Sequence, residues 1–208
     1  MPIKRLPYVT LEALFAREPV SPEDPATGAL IGRLRHVRRQ RHFSRAEFLL
    51  MCRWKTPRAA PHYERNPPAR VRRAARAALT ARDERRRLEA LTALSGVSVP
   101  VASAILTLID PRRYGVLDIR VWQLLHAMGA VARKASGRGF SARDWEGYLA
   151  CLRGVARAQR LSVRAVELTL FHCHRRFQSG RLYDRVPPPA RRAVSRRAAS
   201  LTAKAVRG

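Results

Sequence analysis

A chain of 208 residues with 46% hydrophobic content can bury one good core, or two small helical lobes around a cleft, without disulfide staples. Its 42 Lys and Arg against 15 Asp and Glu leave a formal net charge of +27, which points to a polyanionic partner, nucleic acid first. No apolar run approaches the ~18 residues of a membrane span and the start MPIKRLPYVT lacks an apolar signal core, so the expectation is a cytoplasmic protein, nucleoid-associated if bacterial, with no membrane partner.

Only Lys4, Lys55, Lys134 and Lys204 are lysines. The preference for arginine suits planar, two-point contact with phosphate or guanine, and a GC-rich coding bias explains it at least as well. Cys52, Cys151 and Cys173 are too few and too scattered for a disulfide framework or a four-thiolate iron–sulfur site, and read as small buried apolar residues. Cys173 between His172 and His174 invites a zinc site, but adjacent helical residues diverge by about 100° and do not converge on one ion, so no metal is assigned.

In chain order, Pro2, Pro7, Pro19, Pro22, Pro25 and Gly28 make residues 1–28 a Pro-rich arm with at most a short helical turn over 11–17, a wrap and not a core element. Two helices announce their starts by capping chemistry: Ser44 with Glu47 and Ser141 with Asp144, flanked by the staple pairs Phe43/Phe48 and Phe140/Trp145. This predicts helices over 45–54 and 142–159. Another is expected after Asn66-Pro67, with Asn66 as cap and Pro67 at the first helical position, running through VRRAARAAL.

ARDERRRLEALTAL is helical by its Leu88, Leu91 and Leu94 spacing, SGVSVP breaks it, and VASAILTLI is apolar nearly all round and so deeply buried. The loop DPRRYGVL leads to Asp118, which sits where an N-cap belongs before IRVWQLLHAM; there Ile119, Trp122, Leu125 and Met128 share one face. LSVRAVELTLFHCHRRF is one more amphipathic helix, and nothing alternates with period two over a useful length. The expected fold class is all-α: a helical domain over 29–178, then a flexible basic tail over 179–208 with Asp184 as its one anion.

The segment from Leu94 through Gly96, Val97, Ser98, Val99 and Pro100 to Ala102, followed by Asp118, resembles the hairpin of the helix-hairpin-helix DNA glycosylase superfamily, in its 8-oxoguanine and adenine glycosylase-like form. That hairpin reads L-P-G-V-G-x-x-x-A, with an aspartate about 18 residues beyond its variable last position. Here Pro100 stands at the variable position and Asp118 lies 18 residues on, while Ser95 replaces the usual proline and Ser98 the second glycine. The resemblance implies a two-lobed helical fold with duplex DNA across a cleft, a hairpin gripping phosphate, and Asp118 as the catalytic carboxylate. It implies no iron–sulfur cluster, and leaves room for a monovalent cation at the hairpin.

A turn on Gly96 that presents N–H groups at a helix start suits a phosphate. Glycosidic cleavage develops positive charge on the sugar, which a fixed carboxylate can stabilise, or it can position the attacking water. Asp118 also reads as a plain N-cap, and cap and catalyst can be the same residue. Family members that nick the strand carry a lysine where this chain has Pro100, so the resemblance implies a single-function glycosylase, without lyase activity, acting as a monomer on double-stranded DNA that contains a modified base.

A base must leave the stack to be cut, which calls for an aromatic or apolar pocket and a wedge. Trp54, His62, Tyr63, Phe171 and His172 are the candidates, with Lys55, Arg58 and Arg120 as candidate phosphate contacts. Lys55, beside Trp54, also stands as a possible nucleophile. A non-catalytic helix-hairpin-helix DNA-binding protein with an architectural or protective role is the main alternative, and a basic RNA-associated protein ranks last.

Overall fold

The computed structural model describes residues 6–179 and Leu182. Eleven α-helices and one 3₁₀ turn follow in order: α1 (Leu11–Phe15), α2 (Pro25–Arg33), α3 (Arg35–Gln40), α4 (Arg45–Lys55), the turn Pro57–Ala59, α5 (Ala60–Glu64), α6 (Pro68–Thr80), α7 (Glu84–Thr92), α8 (Val99–Ile109), α9 (Ile119–Ala127), α10 (Ala142–Gln159) and α11 (Val163–Phe177). Among the described residues no strand forms, so the fold is all-α. No helix among them is long and apolar enough to cross a membrane.

The capping chemistry fixes α4 and α10 as the sequence predicts. Ser44 and Glu47 close a full capping box, as do Ser141 and Asp144, which satisfies first-turn N–H groups that no intrahelical carbonyl can reach. Phe43 stacks on Phe48 at 6.4 Å between ring centroids, so that staple holds. Phe140 lies 4.9 Å from Trp122, a partner on α9.

Helix α8 is the hub. Every residue from Val101 to Ile109 is buried, and α2, α3, α4, α7 and α10 all pack against it. An all-round apolar helix has no solvent face to offer, so it must be surrounded. The buried apolar side chains join in one connected core that reaches from Leu14 to Cys173.

The N-terminal stretch departs from the expected arm. Leu14 on α1 is fully buried, and α2 already begins at Pro25, capped by Asp24. Polar clasps hold the segment between them against α11: the Arg164 guanidinium donates twice to the Glu23 carboxylate, at 2.7 Å each, and also pairs with Glu167. The Ser21 N–H donates to Thr169 Oγ1 at 3.0 Å, and Arg176 pairs with Glu18. Six prolines and glycines prevent one long helix here but do not prevent burial, which explains the difference.

The start of α6 also differs. Pro67, not Asn66, occupies the cap position, and no side chain caps the helix. Asn66 is fully buried, with another task described below. The expected basic tail lies outside the described residues except for Ser179 and Leu182; Leu182 is buried.

Candidate active site

Helix α7 ends at Ala93, and the chain turns on Gly96, whose φ of +80° lies in the left-handed region that glycine occupies without strain. A Cβ there would meet His62 Cβ at 2.7 Å and Tyr63 Cδ1 at 3.0 Å, so the turn rests directly on α5. Val97 anchors the turn from below, and Ser98 takes the N-cap position of α8 without a side-chain bond of its own. The first-turn N–H groups of α8 are thus left to another acceptor, apart from Pro100, which has none to offer.

Asn66 clamps this hairpin from beneath. Its Nδ2 donates to Tyr63 O at 2.9 Å and to Ser95 O at 3.0 Å, and its Oδ1 accepts from the Ser95 N–H at 2.8 Å. A buried amide that satisfies three backbone groups fixes the loop as firmly as a short ladder would.

Ser103 couples the hairpin to Asp118. Its hydroxyl donates to Pro100 O and accepts from the Leu117 N–H, both at 2.8 Å, so the residue before Asp118 is tied to the first turn of α8. Tyr148 donates to Val116 O at 2.6 Å and steadies the same strand of backbone. Asp118 then caps α9, its Oδ1 accepting from the Arg120 N–H at 2.9 Å, as the sequence predicts.

The second carboxylate oxygen faces Lys55. At the last residue of α4, Lys55 donates from Nζ to Asp118 Oδ2 at 2.9 Å, and the two side chains are only 18% and 14% exposed. Burial on its own pushes the Asp118 carboxyl up, but the Lys55 ammonium, its hydrogen bond and the Arg120 N–H outweigh it and hold the group below the usual aspartate value. The aspartate is therefore ionised at neutral pH.

These pieces line one open cleft of about 940 Å³. Ser98, Val99 and Pro100 form one wall, Leu117 to Arg120 the floor, and Lys55 to Arg58 another wall. Gly137, Arg138, Gly139 and Phe140 complete it. The loop carrying them is pinned to α9: Trp122 Nε1 donates to Lys134 O at 3.0 Å, and Gln123 Nε2 donates to Ser136 O at 3.1 Å.

Of the candidate residues, Asp118, Ser98, Val99, Pro100, Lys55, Arg58 and Arg120 line the cleft. Gly96 and Val97 support its hairpin wall from outside. Lys55 is not an outlying phosphate contact, since its ammonium is committed to Asp118. Arg120 is divided: it lines the cleft, and its guanidinium lies 5.4 Å from the Phe171 ring centroid.

The proposed base-pocket aromatics fare differently, because helical spacing does not separate a core ring from a pocket ring. Tyr63 is fully buried beneath the hairpin and belongs to the core. Trp54 turns its indole N–H to Thr27 Oγ1 at 2.9 Å, with the Arg164 guanidinium over its ring, and it does not line the cleft. Phe171 and His172 do not line it either; His172 is exposed on α11. His62 is exposed beside the Gly96 turn. The aromatic that does line the cleft is Phe140, which the sequence presents only as a staple.

His174, next to Cys173, is buried and bonded to Gln123 Oε1 at 3.1 Å, and no group of three metal-ligating side chains gathers among the described residues. No family model, no curated protein and no solved structure matches this chain.

Proposed function

We propose that the protein is a DNA glycosylase that hydrolyses the N-glycosidic bond of a modified base flipped out of duplex DNA. One observation carries this: the Gly96 hairpin, the start of α8 and an ionised, N-capping Asp118 converge on a single cleft. The order helix, hairpin, helix, aspartate is that of the resemblance noted in the sequence, with the Ser103 bridge as its physical link.

In this scheme the α8 N-terminus and hairpin hold a phosphate beside the extruded nucleotide, with Arg58 adding charge. The sugar enters the cleft over Asp118, and Phe140 offers an aromatic face to the base. As the glycosidic bond lengthens, the carboxylate stabilises the cationic sugar, already oriented by its bond from the Arg120 N–H. Pro100 has no amine, so the hairpin itself contributes no covalent step.

A non-catalytic DNA-binding protein is the second reading, favoured by the Lys55 contact, which already balances the Asp118 charge. One experiment separates the two. Duplex oligonucleotides with different modified bases are incubated with the protein and treated with alkali, which breaks the strand at abasic sites. Cleavage at one modified base supports a glycosylase; tight binding with no cleavage across the panel supports the alternative.

A further inference from the structure

The cleft contains one amine, and it is held against the carboxylate. Of the four lysines, Lys4 and Lys204 lie outside the described residues, and Lys134 pairs with Asp144 and the Gly139 carbonyl away from the cleft lining. Lys55 lines the cleft facing the start of α8, and hydrogen-bonds Asp118 at 2.9 Å. Most surface lysines are mobile and solvated. This one is anchored at the end of α4, four-fifths shielded, and aimed at the group that would receive its proton.

A nucleophile and a base within hydrogen-bond reach, sharing a cleft large enough for a sugar, form the arrangement that covalent catalysis requires. We propose that Lys55 is a covalent nucleophile toward the aldehyde of an abasic deoxyribose, giving the protein strand-nicking activity that Pro100 cannot provide. This rests on the glycosylase reading for the origin of the abasic site.

The step balances as follows. Lys55 gives a proton to Asp118, and its nitrogen lone pair attacks C1′ of the ring-opened sugar; loss of water leaves a protonated imine. A 2′ proton is then removed, its electron pair forms the C2′–C3′ double bond, and the C3′–O bond breaks with departure of the 3′ phosphate. Water hydrolyses the imine, which restores the amine and releases an unsaturated aldehyde. The water lost in the first stage equals that consumed in the last, and no oxidant or metal takes part.

The test uses the full chain and a duplex with a preformed abasic site, so base excision is bypassed. Borohydride reduces an imine to a stable amine, and peptide mass analysis locates the adduct. The wild-type protein should be trapped through Lys55. Lys55→Arg, which keeps the cation but forms no imine, should lower trapping at least about tenfold, while Lys134→Arg should not. Circular dichroism of the arginine variant checks its folding, and the mapped wild-type adduct needs no variant. Absence of an adduct, an adduct on another residue, or undiminished trapping by Lys55→Arg overturns the proposal. A protein that excises a base yet is not trapped loses the lysine step and keeps the glycosylase assignment. One trapped through Lys55 that excises no base does the reverse.

Discussion

Asp118 has two duties that a single substitution separates. Asparagine at this position still accepts from the Arg120 N–H, so α9 keeps its cap, but it has no charge to set against a cationic sugar. Asp118→Asn is expected to lower base excision by more than about 100-fold while duplex affinity changes only a few-fold, measured by alkali cleavage and by fluorescence anisotropy. His174 provides a second test at this scale. Burial above all, with the Arg120 charge behind it and Asp118 opposing, brings its value down from 6.5 to about 4. The unfolded chain takes up that proton below 6.5 and the folded chain does not, so folding stability falls as pH drops from about 6.5 to about 4. His174→Gln should remove this part of the acid sensitivity, seen as a flatter Tm profile than the wild type over that window.

At the scale of elements, the hairpin depends on two polar side chains that touch no ligand. Ser103→Ala would leave the buried Leu117 N–H without an acceptor and cost about 1–3 kcal/mol in urea unfolding. Because that bond ties Asp118 to α8, excision should suffer more than DNA binding does. Asn66→Ala removes three backbone partners at once and is expected to cost about 2–4 kcal/mol by the same measurement. The capping boxes, the buried α8 and the N-capping Asp118 were all legible in the sequence, because each depends on residues within a few positions of one another. The Lys55–Asp118 contact was not, since 63 residues separate its partners and only the packing of α4 on α8 brings them together. Asn66 misled for a related reason: a cap and a clamp use the same amide, and the choice depends on where Ser95 lies. Trp54 and Tyr63 carried the same ambiguity between core and pocket.

Over the whole molecule, the net charge of +27 sets a further expectation. If the protein covers about five phosphates, duplex affinity should fall roughly 500-fold between 50 and 200 mM salt, and anisotropy titrations at several salt concentrations would show it. A flat response would contradict an electrostatic interface. The clasp of Glu23 by Arg164 works on a different axis, that of time. Its partners are 141 residues apart, so during synthesis at about 5–20 residues per second the N-terminal segment waits roughly 7 to 30 seconds for its counterpart to be made. Helices α4 to α8 can assemble in that interval, whereas the stretch before α2 cannot dock. In chains arrested before α11 emerges, the Ser21 amide should exchange freely with deuterium; in the released chain, bonded to Thr169, it should be protected, marking the close of folding at the end of the chain that was made first.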